Sequence, residues 1–226
     1  MDIEMILHHA KAFAKETLGQ DASGHDWWHV WRAAKLARRL AEAEQADVFI
    51  CELTAYLHDI ADEKLNKSEA AGLQKVKQWL EAEGVLPVIS DQIIEIIGTM
   101  SFKGGGRPPM KTLEGQIVQD ADRLDAIGAI GIARTFAYSG ARGQLIYDPE
   151  QAPRQELTPE IYRSGRTTAI NHFYEKLLKL KDGLNTDSAR QLAERRHRFM
   201  RAFLDEFFQE WEASSSEIRR PKRAET

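Results

Sequence analysis

The sequence has few features of a secreted, disulfide-bonded or membrane-spanning protein. It contains one cysteine, Cys51, in 226 residues, so no intrachain disulfide can form, and its apolar helical surroundings favour a small core residue. No apolar run approaches the roughly 18 residues of a membrane helix. The N-terminus also lacks the basic start and apolar stretch of a signal peptide. We therefore expect a cytoplasmic protein with no membrane contact.

Net charge is also small. Lys and Arg number 31 against 35 Asp and Glu, which leaves a formal charge of −4. This balance makes nucleic acid an unlikely partner, because non-specific binding to nucleic acid needs an excess of basic residues. The 42% hydrophobic content suffices for a core. We predict one domain over residues 1–212, as a monomer or homodimer, and a basic disordered tail over 213–226.

The alternating pattern of half-buried strands is missing, which predicts an all-α fold. Apolar residues recur instead at helical spacing, as in the stripe formed by Leu53, Tyr56, Leu57 and Ile60. The predicted helices include 69–83, a short helix around 93–97, a long helix over 114–137 with Gly128 and Gly131 inside it, 166–181 and 187–212. Two segments rich in glycine and proline, 101–111 and 139–159, are predicted as loops, and loops of this length are often functional.

An adjacent imidazole and carboxylate, His58-Asp59, end the apolar stripe. The two residues are readily explained as ligands of one metal ion. His29 precedes them by about one helix, one turn after His25, and Asp122 follows in the segment Gln-Asp-Ala-Asp-Arg-Leu-Asp at 119–125. Each signal alone is weak, but their order and helical context favour a shared site. Mixed nitrogen and oxygen ligands suit Mn²⁺, Fe²⁺, Ni²⁺, Co²⁺ or Zn²⁺ better than Ca²⁺.

This ordered motif set resembles the HD-domain phosphohydrolase superfamily. The motifs cover residues 20–130, and Ala-Asp-Arg-Leu at 121–124 matches the late motif of that family. Two later segments, Ile-Gly-Ala-Ile-Gly-Ile-Ala-Arg at 127–134 and Asn-His-Phe-Tyr-Glu-Lys-Leu-Leu at 171–178, look like short bacterial HD hydrolases, some of which act on nucleoside triphosphates. The resemblance implies an HD helical bundle with additional C-terminal helices.

The resemblance also implies the metal ligands, which are His29, His58, Asp59 and Asp122. Asp120 and Asp125 are alternatives for the last ligand. Otherwise Asp120 is a solvated helix residue, and Asp125 either supports the ligands or contacts a sugar hydroxyl. Relatives with two metal ions carry extra histidines before the glycine loop, and none occurs at 96–102 here. We therefore expect one divalent ion, with Mn favoured over Ni, Co, Fe, Mg or Zn.

Similar HD hydrolases place an acid just after the His-Asp pair to activate or orient the attacking water, or to protonate the leaving group. Asp62 is the first candidate here, and Glu63 is the second; the alternative is a pair of surface acids. Cations should contact the phosphates of the substrate. The substrate-binding candidates are Lys103, Arg107, Arg123, Asp125 and Lys176, with Arg134 and Arg166 as further basic candidates. Each cation could instead be a solvated surface charge.

The implied function is a metal-dependent phosphohydrolase in which a metal-activated water attacks a nucleotide. The enzyme would be a nucleoside triphosphate pyrophosphohydrolase or phosphatase. A phosphomonoesterase or a phosphodiesterase is the alternative among enzymes. A non-catalytic HD module that senses a nucleotide or binds a partner is the alternative outside them.

Removing the charges of Lys103 and Arg107 together should weaken phosphate binding. Glycines beside them allow the 101–111 segment to close over a substrate. The KM for a nucleoside triphosphate should therefore rise more than the KM for a neutral ester in steady-state assays of the double alanine variant. An equal change for both substrates would show that the segment does not bind phosphate.

Overall fold

The computed structural model describes residues 2–19, 26–62, 65–100, 109–155 and 167–213. Within these ranges all regular structure is helical and no strand occurs, which confirms the all-α prediction. The elements are α1 (Ile3–Leu18), α2 (Trp27–Glu44), α3 (Val48–Leu57), the 3₁₀ helix η1 (His58–Ala61), α4 (Glu69–Ala82), α5 (Pro87–Met100), α6 (Leu113–Asp125), α7 (Gly128–Ala141), α8 (Ala169–Glu175), the 3₁₀ helix η2 (Leu177–Gly183) and α9 (Asp187–Trp211). Among the described helices, none combines the length and apolar character needed to cross a bilayer.

Helices α2, α3 and α6 pack against one another at the centre of the fold. Their facing side chains include Val30, Leu53 and Ile117, all fully buried. The alanines of α2, among them Ala34, let the neighbouring helices approach closely, and Cys51 is buried in the same core as predicted. One continuous cluster of buried residues extends from α1 to α9. The core therefore fixes the relative positions of the segments that carry the predicted metal ligands.

Aspartate side chains cap the N-termini of α2 and α3. Asp26 accepts a hydrogen bond from the backbone N–H of His29 at 2.8 Å, and Asp47 accepts one from Ile50 at 3.0 Å. Such caps satisfy backbone donors that the first helical turn leaves unpaired. The cap on α2 thus fixes the backbone at the position of the first predicted ligand.

The chain leaves α-helical geometry at the His-Asp pair. Helix α3 ends at Leu57, η1 follows, and Asp62 is extended with ψ at 138°. The Asn66 side chain donates to the carbonyls of Ile60 at 2.8 Å and Asp62 at 2.9 Å, so these acceptors are satisfied without further helix. Asp62 therefore does not continue an α-helix from His58, although the two residues remain close in the chain.

Two predicted helices are each broken in the structure. The predicted 114–137 helix divides into α6 and α7, because Gly128 has φ at +78°, a value that an α-helix cannot continue through. A side chain at Gly128 would also crowd Arg196 of α9, which donates a hydrogen bond to the Leu124 carbonyl. The predicted 166–181 helix divides into α8 and η2. Helix α7 also extends to Ala141, into the segment predicted as a loop from 139.

Asp120 is a buried cap and not the solvated residue that we considered. It accepts hydrogen bonds from the backbone N–H groups of Asn185 at 2.9 Å and Thr186 at 2.8 Å, and from the Thr186 hydroxyl at 2.8 Å. These donors lie at the start of α9, so the carboxylate ties α9 to α6. Because its oxygens face this helix start, Asp120 does not compete for the metal.

Gly72 of α4 lies against the backbone of η1. A Cβ atom there would be 2.3 Å from the carbonyl oxygen of Ala61. The absence of a side chain thus allows α4 to support the turn that carries His58 and Asp59.

Replacing Gly72 with alanine should lower the free energy of unfolding. Overpacking costs about 1–3 kcal/mol, and the gain in helix propensity offsets about 1 kcal/mol of it. Urea unfolding should therefore show a net loss of up to about 2 kcal/mol. Gly98→Ala is the control, because among the described residues outside its own helix backbone the added Cβ would approach only Leu73 Cδ1, at 3.5 Å. Equal stabilities of the two variants would contradict the packing role of Gly72.

Candidate metal centre

Two separate elements bring His29, His58 and Asp59 together. His29 comes from α2, and the other two residues come from η1. One Asp59 oxygen lies 3.2 Å from His58 Nε2, and the other lies 3.5 Å from His29 Nε2. The ligand atoms of the three residues all lie within 4.8 Å of one another. This cluster agrees with the first three ligands predicted from the sequence.

Asp122 completes the cluster from α6. Its Oδ1 lies 3.3 Å from His29 Nε2 and 4.0 Å from His58 Nε2. Its side chain is 38% exposed, whereas the His29 side chain is 0% exposed. The cluster is therefore enclosed on the histidine side and reaches solvent beside Asp122.

The donor set fits a divalent ion. His58 Nδ1 lies 2.8 Å from the Ala55 carbonyl, and His29 Nδ1 lies 2.7 Å from Asp125. These acceptors favour the tautomers with the proton on Nδ1, which leave the Nε2 lone pairs for a ligand. In the described part of the chain, the buried His58 Nε2 has no hydrogen-bond partner. Ligands of one ion at bonds of about 2.1 Å lie roughly 3–3.5 Å apart, close to most of the observed spacings.

The electrostatics of the cluster also favour a cation. Burial lowers the pKa of His29, but hydrogen bonds to Asp122 and Asp125 and the charge of Asp59 outweigh it and raise that pKa to about 9. Burial raises the pKa of Asp122, but the hydrogen bond and charge of His29 lower it to about 2. The carboxylates therefore create a negative potential at the imidazole, and a bound divalent ion would replace a proton there.

Asp125 lies behind His29 and not at the solvent side. Its side chain is 5% exposed, and its oxygens contact His29 Nδ1 at 2.7 Å, Arg32 Nε at 2.7 Å and Arg134 Nη1 at 2.6 Å. This enclosure supports the alternative in which Asp125 supports a ligand, and it leaves no open side for a sugar hydroxyl. Its pKa is well below the usual value, because hydrogen bonds from His29 and Arg32 outweigh the effect of burial.

The other predicted site residues are not part of the ligand cluster in the described structure. Asp62 directly follows η1 and is partly buried. Arg123 donates a hydrogen bond to the Gly183 carbonyl at the end of η2, so its guanidinium already has a protein partner beside Asp122. Lys176 is partly exposed between α8 and η2. The remaining candidates, Glu63, Lys103, Arg107, His25 and Arg166, and the tail from 214 lie outside the described residues.

Sequence reasoning missed Arg32 and misjudged Arg134. Arg32 lies three residues after His29, so helical spacing puts both on one face of α2, and this signal was available. Arg134 was considered only as a phosphate-binding cation. It contacts Asp125 because the chain reverses at Gly128, and the unbroken helix that we predicted would have carried it away from the site.

Comparisons with known proteins agree with this arrangement. The family model of the HD domain matches residues 27–127, which include all four proposed ligands. The chain is 43% identical over 196 residues to the uncharacterized protein YpgQ of Bacillus subtilis, covering 86% of this chain and 88% of YpgQ. The chain therefore belongs to the HD-domain phosphohydrolase superfamily.

Solved structures support the same assignment. A crystal structure from Lactobacillus plantarum matches with a TM-score of 0.83 and 46% identity, covering 95% of this chain and all (100%) of that chain. An HD-superfamily hydrolase from Bacillus thuringiensis matches with a TM-score of 0.75 and 48% identity, covering 94% and 100%. Bacillus subtilis YpgQ in complex with ADP matches with a TM-score of 0.73 and 38% identity, covering 90% and 97%.

Elemental analysis of the purified protein should find one divalent ion per chain. His58→Ala should lose it, because the variant removes one of two imidazole ligands. His9→Ala is the matched control, since His9 is an exposed histidine that pairs with Glu83. Two tightly held ions per chain would contradict the single-ion prediction, and full metal content in His58→Ala would refute the ligand assignment.

Proposed function

We propose that this protein is a metal-dependent phosphohydrolase that hydrolyses a nucleotide, with a nucleoside triphosphate as the preferred substrate. The observation that carries the proposal is the convergence of His29, His58, Asp59 and Asp122 on one point that opens to solvent beside Asp122. The ADP complex of YpgQ supports a nucleotide as the ligand class.

A single divalent ion, with Mn favoured, would be held by these four residues. When bound, such an ion polarises a phosphoryl oxygen and lowers the pKa of water. The chain itself supplies two imidazoles and two carboxylates, whose charges together balance a divalent cation. The partly exposed position of Asp122 leaves room for the phosphate on that side.

Asp62 is our candidate for the general base that accepts the proton of the attacking water. It follows η1 directly, so the same turn that places His58 and Asp59 also places its backbone. The two hydrogen bonds from Asn66 hold the carbonyls of η1 and Asp62, which restricts the movement of this segment. In our proposal the carboxylate of Asp62 reaches the ligand cluster and accepts a proton as the phosphorus–oxygen bond to water forms.

Helix α5 ends close to α6, the helix that carries Asp122. Gln119 of α6 donates a hydrogen bond to the Met100 carbonyl at 3.0 Å, and Gln119 lies three residues before Asp122. This contact holds the last residue of α5, and Lys103 and Arg107 follow three and seven residues later in the sequence. We propose that these two cations bind the phosphates of the substrate, with Arg123 or Lys176 as additional contacts.

A nucleotide panel with added Mn²⁺, analysed by mass, tests the proposal. Pyrophosphate as product would indicate a pyrophosphohydrolase, and orthophosphate would indicate a phosphatase. Ring opening of a cyclic nucleotide would indicate a phosphodiesterase. Nucleotide binding without any product would favour the non-catalytic, nucleotide-sensing alternative.

Asp62→Asn should lower kcat by about 10²–10⁴, the usual contribution of general acid–base catalysis. The amide is nearly isosteric but cannot accept a proton at neutral pH. Metal content should not change, because Asp62 is not among the proposed ligands. The control is Asp91→Asn, which alters an exposed carboxylate paired with Lys77.

Two other outcomes would change the assignment of Asp62. Loss of the ion in Asp62→Asn would make this residue a ligand. A normal kcat with full metal content would leave the proton to Glu63 or to the solvent.

A further inference from the structure

The buried imidazole of His29 depends on a carboxylate that belongs to no ligand set. Asp125 Oδ2 lies 2.7 Å from His29 Nδ1, and both side chains are almost completely buried. Arg134 Nη1 lies 2.9 Å from the same imidazole nitrogen but 2.6 Å from Asp125 Oδ2. Since a guanidinium only donates, its strong contact is with the carboxylate. An ionised Asp125 therefore accepts from the imidazole N–H and from the guanidinium.

This arrangement selects the tautomer that a metal ligand needs. A proton on Nδ1 leaves a lone pair on Nε2, the atom that faces Asp59 and Asp122. Carboxylates that orient metal-binding histidines in this way usually change metal affinity by about 10–100-fold when they are disturbed. The orientation of His29 is therefore set by Asp125, which lies on the side of the imidazole away from the ligand cluster.

Two arginines from different helices hold Asp125. Arg32 of α2 makes a two-point contact, with Nε at 2.7 Å from Oδ1 and Nη2 at 2.9 Å from Oδ2. Arg134 of α7 approaches Oδ2 from the other side of the break at Gly128. Paired, planar contacts of this kind fix both the position and the rotation of a carboxylate. Asp125 consequently has little freedom to turn away from His29.

Arg134 lies beyond the part of the chain that matches the HD domain, which ends at residue 127. The positive φ of Gly128 reverses the chain after α6 and begins α7 there. Arg196 of α9 packs at this reversal and donates to the Leu124 carbonyl. The helices after the HD domain therefore hold the segment that returns Arg134 to the site.

We propose that Arg134 is a positioning residue of the metal centre. Together with Arg32, it holds Asp125 against His29 in the metal-binding tautomer. The helices that follow the HD domain thereby complete the metal site. This inference rests on the proposed metal-dependent function, and it concerns a residue outside the proposed ligand set.

Arg134→Gln separates positioning from a simple effect of charge. Removing a positive charge near the site would, through electrostatics alone, tighten the binding of Mn²⁺. Loss of positioning has the opposite sign, and we expect the Kd for Mn²⁺, measured by titration calorimetry, to rise by about 10–100-fold. The matched control is Arg142→Gln, because Arg142 is an exposed arginine at the end of the same helix, stacked on Tyr138. Its Kd should equal that of the wild type.

Two further measurements distinguish positioning from general loss of structure. Arg134→Lys keeps the positive charge but not the planar guanidinium with its several N–H donors, so its affinity for Mn²⁺ should lie between those of Arg134→Gln and the wild type. In the Zn²⁺-loaded wild type, ¹⁵N shifts of the His29 ring should report a proton on Nδ1, and in Arg134→Gln this signal should broaden or shift. Circular dichroism without metal checks that each variant is folded.

The outcomes separate this inference from the proposed function. An unchanged or lower Kd for Mn²⁺ in Arg134→Gln, with normal binding by the wild type, would overturn the positioning role and leave the proposed function intact. No Mn²⁺ binding by the wild type would overturn both. Weaker binding in Arg134→Gln, partial recovery in Arg134→Lys and normal binding in Arg142→Gln would support the positioning role.

Discussion

This structure depends on one constraint: each ionisable group that is buried must lie beside groups of opposite charge or hydrogen-bond partners. His29 is fully buried, and a buried imidazole between carboxylates is acceptable only when each polar atom has a partner of suitable charge. Asp125 and its two arginines form such a set on one side of the imidazole. On the other side, the Nε2 atom and the carboxylates of Asp59 and Asp122 form a set that a divalent cation would complete. Packing of α2, α3 and α6 brings both sets to one place.

Three aspartates of α6 have different roles because they point in different directions around the helix. Asp120, Asp122 and Asp125 all lie within six residues of one helix. Asp120 caps the start of α9, Asp122 faces the ligand cluster, and Asp125 lies against His29 and the arginines. The carboxylate chemistry is the same in each case. The partner that each carboxylate meets depends on its angle around the helix and on the neighbouring element at that angle.

Much of the centre could be predicted from the sequence, because the ligands lie in short motifs of fixed order. The helical periodicity also predicted α4 and the middle of α5, since apolar spacing is a local property of the chain, although α5 is longer than the short helix predicted around 93–97. The role of Asp120 could not be predicted in this way. Its partners, Asn185 and Thr186, are about 65 residues away in the chain, and only the packed fold brings them together.

The breaks in the helices could not be predicted for the same reason, because they depend on contacts between residues far apart in the sequence. Apolar spacing continues through Gly128, so periodicity alone predicts one helix there. The reversal depends on a left-handed glycine and on Arg196, a residue of a distant helix. The change to 3₁₀ geometry at His58 similarly depends on the side chain of Asn66 and on the close approach of Gly72. Sequence patterns describe the elements, whereas long-range contacts determine where those elements end.

These breaks are also what makes the site complete. Helix α3 ends at Leu57, and the 3₁₀ helix η1 then carries His58 and Asp59, with Asp59 3.5 Å from His29 Nε2. A straight continuation of α6 would move position 134 about 13 Å along the axis from Asp125, since each helical residue rises about 1.5 Å. In the folded chain Arg134 Nη1 instead lies 2.6 Å from Asp125. The geometry of the centre therefore depends on the points where the regular helices end, and substitutions at those points act on the site without touching a ligand.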